Sequence, residues 1–259
     1  MSRPAWRGLV GPLTLFRREV LRYLRRPGNT FLPPLITNVL YFAVFGIILG
    51  GRIGSIAGFS YVLFVLPGLV VLGTTSNAFE NSSFTVFHGR WNDYIHEVVT
   101  SPLSHTEGVA AYVAAGGVRG LLIGALVAAV GALFTPVRIY HPLYLAAFML
   151  AISTLFSSLG VVAGLWAKDF DYLTVLNQFI IRPLVFFGGV FYSLSVLPDL
   201  WRTASLANPM VYMVNGVRFA FLDYYEVDPV RSLLVLWTAA VVVVALDVIL
   251  FARGYGLSE

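Results

Sequence analysis

The sequence predicts an all-α integral membrane protein in which six transmembrane helices form one domain over residues 1–259. Three observations carry this prediction. Hydrophobic residues make up 58% of the 259 residues. Charged residues make up 12%, about half of their share in soluble globular domains. Six separate stretches are long and apolar enough to cross a bilayer. A water-soluble chain of this length needs more polar surface than this to cover itself.

The composition also argues against several functions. The absence of cysteine excludes a disulfide scaffold, a Cys-ligated metal site and thiol catalysis. The net charge of +4 comes largely from a cluster of arginines that precedes the first apolar stretch. That placement favours contact with anionic lipid and disfavours nucleic-acid binding.

The first element is an amphipathic helix predicted over residues 9–26, which is typical of a helix that lies in the membrane interface. One face carries the apolar residues Leu9, Leu13, Phe16, Val20 and Leu24, and another carries Arg18, Arg22 and Arg25. Two interpretations stay open here: an elbow that contacts a partner, or a topology anchor alone.

The six predicted spans each provide the roughly 20 apolar residues that a bilayer requires. They cover residues 31–50, 60–79, 108–134, 142–166, 172–192 and 231–251. With the N-terminus in the cytoplasm, the cytoplasmic loops hold the N-terminal arginines together with Arg90, Lys168 and Arg253, and the other side holds fewer basic residues. The positive-inside rule therefore predicts that both termini are cytoplasmic.

Two arginines, Arg119 and Arg182, fall inside predicted spans. They either contact substrate or pair with neighbouring helices, and the sequence leaves both interpretations open. Glycines at GxxxG spacing predict close helix packing, which carries no specific function. They are Gly46/Gly50/Gly54, Gly116/Gly120/Gly124 and Gly160/Gly164.

The first polar insertion follows the second span and predicts a short amphipathic helix from Arg90 to Thr100. Its apolar stripe consists of Trp91, Tyr94, Ile95 and Val98, while Asp93 and Glu97 lie on a different face. Ser101 and Pro102 end it, because proline disfavours a helical conformation in the residue before it. This helix is either a lever for a soluble partner or a connector.

The second insertion, after the fifth span, is predicted to lie outside and yet is rich in apolar and aromatic residues. Gly188 and Gly189 break the helix, and Pro198 and Pro209 mark two further turns. Exposed to water, its apolar side chains would form an unusually large patch. We therefore expect residues 193–229 to dip back into the bilayer as a re-entrant helical pair.

No motif for catalysis is present. The one lysine, Lys168, lacks the glycines of a phosphate-binding loop, and neither HExxH nor GxSxG occurs. We therefore expect no catalytic, cofactor-binding or metal-binding residues in this chain. Glu80 and Asp247 lie near predicted span ends, where they reach the head groups, so a self-driven carrier is weakly supported. A stand-alone channel or secondary carrier and a membrane-embedded enzyme remain the alternatives.

Together these residues resemble the membrane subunit of ABC-2 type transporters, and specifically the YadH-like branch of that family. The resemblance covers nearly the whole chain. Its most specific part combines a glycine-led break, a leucine–proline turn, an Asn-Pro pair and then an arginine. The segments that carry it are LPPLITNVLYFAVFG, RIGSIAGFSYVLFVLPGL, HEVVTSPLSH and FFGGVFYSLSVLPDLWRTASLANPMVYMVNGVRF.

The resemblance implies a permease of an ATP-binding cassette exporter in the inner membrane. Two copies would form the path for a drug-like, lipid or glycan substrate, and a separate ATPase subunit would bind ATP and Mg. The residues implied to contact that ATPase are Arg90, Trp91, Asp93, Tyr94, Glu97, Ser101, Pro102, Lys168 and Asp169. Many relatives carry Gly-Thr ahead of the acidic residue, where this chain has Trp91–Asn92. The aromatic residues expected along the substrate pathway are Tyr61, Phe64, Phe186, Phe187, Phe191 and Tyr192.

Overall fold

The computed structural model describes residues 5–256, apart from the side chains of residues 5–9, Ile47 and Val99. Arg3 of the predicted basic cluster and the Leu9 side chain of the predicted apolar stripe lie outside this description. The described residues form a bundle of ten helices, with a short 3₁₀ helix at Leu194–Val196 and one β-hairpin of two-residue strands. The helices are α1 (Ala5–Leu24), α2 (Pro27–Ile53), α3 (Tyr61–Trp91), α4 (Ile95–Val99), α5 (His105–Gly131), α6 (Pro142–Trp166), α7 (Phe170–Val190), α8 (Asp199–Ser205), α9 (Pro209–Leu222) and α10 (Pro229–Ala252).

All six predicted spans are confirmed as helices long and apolar enough to cross a membrane: α2, α3, α5, α6, α7 and α10. Both α2 and α7 contain π-helical stretches, at Phe42–Leu49 in α2 and at Leu176–Ile181 and Phe186–Val190 in α7. Strands β1 (Ser55–Ile56) and β2 (Phe59–Ser60) join α2 to α3 as an antiparallel hairpin. Its turn residues, Ala57 and Gly58, both have positive φ, as a tight two-residue hairpin requires.

Helix α3 is the centre of the bundle. Of the 18 residues in its most apolar stretch, 89% are buried, against 12% in the corresponding stretch of α2 and 17% in that of α10. Glycines of α5 and α6 allow this contact, because a Cβ at Gly120 would lie 2.8 Å from the Thr74 carbonyl oxygen and one at Gly164 would lie 2.6 Å from the Ser83 carbonyl oxygen. The predicted packing role of these two glycine series is confirmed. The third series differs at Gly54, which has φ +73° and where a Cβ would meet no atom within 4 Å.

Helix α3 continues past residue 79, the predicted end of the second span, to Trp91. Its polar second half stays helical because its hydroxyl groups bond inside the bundle. Thr74 and Thr75 donate to carbonyl oxygens one turn back, and the Ser82 hydroxyl lies 2.6 Å from that of Ser157 on α6. At about 46 Å, α3 exceeds the roughly 30 Å hydrocarbon core, so one end extends beyond the bilayer.

The predicted helix from Arg90 to Thr100 is also corrected. Arg90 and Trp91 form the last turn of α3, and a new helix begins only at Ile95. Between them, Asp93 adopts a left-handed conformation with φ 59°, which ends one helix before the next begins.

The two ends of the bundle differ. The "elbow end" carries α1, α4, the start of α5 and the end of α10, which share a small core of Leu15, Ile95, Val98, Val109, Tyr112 and Phe251. The other end carries the helical pair α8 and α9, and we call it the "hairpin end" after this pair. Gly189 breaks the last turn of α7, where it has φ 84°, as its position in the sequence predicts.

Candidate functional site

Helix α4 is held rigidly at the elbow end. Ile95 is fully buried and Val98 nearly so, and both belong to the core shared by α1, α5 and α10. The opposite side of the same helix exposes His96 and Glu97. A helix of five residues is not stable by itself, so this packing is what fixes its position. This core joins α4 directly to α1 and to the spans α5 and α10.

The side chain of Phe170 brings the two predicted contact segments together. Its ring lies 4.5 Å from Phe87, 4.7 Å from His88 and 6.4 Å from Trp91, measured between ring centroids. Lys168 and Asp169 therefore lie beside the end of α3. Asp169 also caps α7, because its carboxylate accepts hydrogen bonds from the backbone of Asp171 and Tyr172.

The result is one exposed patch at the elbow end, which we call the elbow surface. It consists of Trp91, Asp93, His96, Glu97, Lys168 and Asp169, all exposed. Trp91 is 65% exposed, which is unusual for a tryptophan outside an interface or a membrane belt. Tryptophan is enriched among the residues that contribute most to binding at protein–protein interfaces.

Not every residue predicted for this surface points outward. Arg90 donates from Nη1 to the carbonyl oxygens of Gly164 and Ala167, at 2.9 and 3.0 Å, and so caps the end of α6. Tyr94 is half-buried, with the Arg18 guanidinium 5.8 Å from its ring centroid, and burial raises the pKa of its phenol. The Ser101 hydroxyl donates to the Val98 carbonyl oxygen, and Pro102 is exposed.

A second feature is a cavity of about 270 Å³ between α2, α3, α5 and α7, which we call the polar cavity. Its polar lining residues are Asn29, Thr30, Thr37, Asn38, Tyr41, Ser76, Asn77, Glu80, Arg119 and Arg182. Both arginines that the sequence places inside spans therefore line one space. A polar cavity among spans is the form that a hydrophilic path takes in membrane proteins.

A larger pocket of about 790 Å³ adjoins the polar cavity at the elbow end, and we call it the basic pocket. Five arginines line it: Arg18, Arg22, Arg25, Arg26 and Arg119. Asn29, Thr30 and Arg119 line both spaces, so the two are neighbours along one route.

Glu19 organises the wall of the basic pocket. Its buried carboxylate accepts from Arg18 at 2.9 Å and from Arg22 at 3.1 Å. Arg22 also bonds Asn81, at 3.1 Å, and Thr85 of α3. Nearby, burial raises the pKa of Tyr23 to about 12. Helix α1 is therefore fixed to the bundle by Leu15, Glu19 and Tyr23, which leaves Leu13 and Leu24 of the predicted apolar stripe exposed.

The aromatic residues expected along the substrate pathway lie elsewhere. Tyr61 and Phe64 are buried in the main core. Phe191 stacks on Phe186 and on Phe45 of α2, and Phe187 is 67% exposed. The Tyr192 hydroxyl donates to the Phe187 carbonyl oxygen at 2.8 Å. None of the six lines the polar cavity or the basic pocket.

Sequence reasoning missed two groups. Glu19 is the one acidic residue in the arginine-rich segment, and that signal could have marked it as a buried partner. The amides Asn38, Asn77 and Asn81 lie in helices at depths where a polar group needs a partner. These amides are far from Arg119 and Arg182 in the sequence, and packing of the helices brings them close to those arginines.

Comparison with known proteins agrees with this architecture. The sequence profile described as "ABC-2 type transporter" matches residues 13–222. The chain is 36% identical over 244 residues to the inner membrane transport permease YadH of Escherichia coli K12, covering 94% of this chain and 95% of that protein. It is also 22% identical to nodulation protein J of Rhizobium leguminosarum bv. trifolii over 85% of each chain, and 25% identical to that of Neorhizobium galegae over 84% of this chain and 83% of that protein. The profile match spans most of the sequence and includes α4, both cavities and α9, and the chain therefore belongs to the ABC-2 type transporter family, as one of its transport permeases.

Proposed function

We propose that this permease is the membrane subunit of an ATP-driven exporter and that a separate ATPase subunit drives it. The observation that carries the proposal is the elbow surface, to which α4 contributes His96 and Glu97. This helix is exposed on one side and buried on the other in a core that reaches α1, α5 and α10. ATP and Mg would be bound by the ATPase, whose movement on nucleotide binding would be passed through α4 to the spans.

In this proposal the elbow end faces the cytoplasm, and both termini lie on that side. The distribution of basic residues supports this orientation, because the arginines of α1 and the basic pocket are concentrated at the elbow end. Residues 193–229 would then form the outer, re-entrant part. Residues 1–259 are proposed to be one transmembrane domain.

We further propose that two copies assemble around the substrate path. The helices that border the polar cavity on one side, α2 and α7, are among the less buried spans. Their exposed apolar side chains include Leu40 and Ile48 on α2 and Phe179 and Phe187 on α7. A second copy facing α2 and α7 would enclose the cavity, and the route from the basic pocket through the polar cavity would then be the path of the cargo. The cargo class remains a drug-like, lipid or glycan molecule.

The double variant Trp91→Ala/Glu97→Ala tests the docking surface. Truncating an exposed tryptophan at a docking centre typically costs about 2 kcal/mol or more of binding, so co-purification with the ATPase and transport-linked ATP turnover should fall at least about tenfold. The matched control is Trp201→Ala/Asp199→Ala, which removes an exposed tryptophan and an acid from α8 at the hairpin end. If both double variants associate and turn over ATP equally well, the elbow surface does not dock the ATPase.

A further inference from the structure

The basic pocket holds more positive charge than its own residues neutralise. Five arginines line it, and the one carboxylate in its lining, Glu19, is already shared by Arg18 and Arg22. Arg25, Arg26 and Arg119 also converge on this space, and among the described residues no ion pair joins them to a carboxylate within 4 Å. Glu80, which lines the polar cavity together with Arg119, attracts that arginine from beyond this distance. Five arginines thus share two carboxylates, and a bound anion reduces the repulsion between the like charges.

The positive-inside rule explains arginines on the membrane surface, but it does not explain Arg119. This residue lies about 20 Å along α5 from His105, well within a span, where a charged side chain is costly. Side chains on a helix lean toward its N-terminus, and here that direction leads to the basic pocket. Nη1 of Arg119 donates to the Asn81 amide oxygen at 3.5 Å, a long contact, and its Nε has no hydrogen-bond partner.

The adjoining polar cavity adds a sixth arginine and an apolar side. Arg182 lines it from α7, while Pro33, Pro34 and Leu72 contribute apolar surface. A ligand that filled both spaces would therefore meet arginines at one end and, further in, a mixed wall of amides, hydroxyl groups, the Glu80 carboxylate and apolar groups. This distribution suits an amphiphile better than a small free anion.

We propose that the basic pocket binds the phosphate group of an anionic amphiphile, whose apolar part extends into the polar cavity. Arg25, Arg26 and Arg119 supply the charge-assisted hydrogen bonds, and Glu19 holds Arg18 and Arg22 in place beside them. The proposal deepens the function proposed above, since it rests on the same route and names an anionic amphiphile as the class of molecule that enters it.

Binding to the full-length purified permease tests this without the ATPase. Native mass spectrometry in a neutral detergent would compare phosphatidic acid with phosphatidylcholine of the same acyl chains, and inorganic phosphate would be added as a competitor. We expect phosphatidic acid to bind preferentially and inorganic phosphate not to displace it at comparable concentration. The variant Arg25→Gln/Arg26→Gln/Arg119→Gln should bind phosphatidic acid at least about tenfold more weakly, because charge-assisted hydrogen bonds are lost.

The control is Arg17→Gln, which removes an exposed arginine of the same helix that lines neither space. Equal binding of the two lipids, or an equal loss in the Arg17 variant, would overturn the proposal, because general surface charge would then explain the binding. Displacement by inorganic phosphate would show a free-anion site and overturn the amphiphile. If the triple variant does not fold, Arg25→Gln/Arg26→Gln alters two exposed positions and should still weaken binding. Because no ATPase is present, failure here leaves the docking proposal standing, and the reverse also holds.

Discussion

At the scale of single residues, Arg218 shows how a charged side chain can hold the apolar helix α9 in place. It is 2% exposed. Its Nη2 donates to the Gly189 carbonyl oxygen at 2.6 Å, and its guanidinium lies 3.9 Å from the centre of the Phe64 ring. Nη1 lies 3.7 Å from the Glu226 carboxylate, which also accepts from the backbone of Ser195 and from the Ser193 hydroxyl. One arginine therefore ties α9 to the end of α7, to α3 and to the loop before α10.

We predict that Arg218→Met strongly lowers the thermal stability of the purified permease. Removing one partner of a buried ion pair costs about 3–5 kcal/mol, because the other charge stays buried without compensation. Melting temperature in detergent is the measurement. Arg218→Met/Glu226→Gln should recover part of the loss, and Arg202→Met, an exposed arginine on α8, should melt like the unmodified chain. A melting temperature unchanged by Arg218→Met would rule out this clamp.

These residue-scale features are the least accessible from sequence. The sequence places Arg218 on the outer side of the membrane but does not predict its partners Phe64, Gly189 and Glu226, of which Phe64 and Gly189 are distant along the chain. Arg90 likewise has the position expected of a docking residue but bonds the end of α6. Sequence patterns identify which residues are unusual, but the direction of a side chain depends on packing between distant segments.

At the scale of elements, the glycine series determine how closely α5 and α6 approach α3. A Cβ at Gly120 would meet the Ala78 Cβ and the Thr74 carbonyl oxygen at 2.8 Å each. Neither atom belongs to a flexible side-chain end, so the helices would have to separate. Such packing is predictable, because glycines four apart on an apolar helix need no distant partner to be recognised.

We predict that Gly120→Ala destabilises the permease, whereas Gly51→Ala does not. Overpacking a close helix contact costs about 1–3 kcal/mol, which corresponds to a fall in melting temperature of several degrees for a chain of this size. Gly51 lies in α2 with nothing within 4 Å of its Cβ position, so alanine there should be neutral or slightly stabilising. Thermal melting of the two variants side by side tests this, and equal melting temperatures would contradict the packing role.

The limits of helix prediction also show at this scale. The length of the apolar stretches found every span, because a bilayer imposes a minimum apolar length. It did not predict the continuation of α3, where the polar residues from Glu80 to Thr85 are typical of a loop. They remain helical because the interior of the bundle supplies partners such as Ser157 and Arg22. The predicted apolar stripe from Trp91 to Val98 lies on two helices instead of one. Asp93 turns the chain between them, and this turn brings Ile95 into the core at the elbow end.

At the scale of the whole molecule, the structure separates two regions that a transporter must keep distinct. The elbow surface lies outside both cavities, yet α1 connects this surface to the basic pocket. Leu15 of α1 belongs to the core that holds α4, while Glu19 and Tyr23 line the basic pocket. A displacement of α4 would therefore also move the part of α1 that lines the basic pocket. This arrangement suits a path whose energy source lies outside the chain.

The division of labour leads to a prediction for the reconstituted system. In liposomes, the permease alone should not accumulate an anionic amphiphile against a gradient, and adding the ATPase with ATP and Mg should start net transport. A proton gradient imposed without the ATPase should have no effect, because in this proposal the ATPase supplies all the energy for transport. Within the described residues, the acidic side chains of the route are Glu19, which two arginines hold, and Glu80. The measurement is the amount of labelled lipid protected from an outside quencher.

The double variant Trp91→Ala/Glu97→Ala should abolish the ATP-dependent transport while leaving binding to the basic pocket intact. Accumulation driven by a proton gradient in the permease alone would instead identify a secondary carrier.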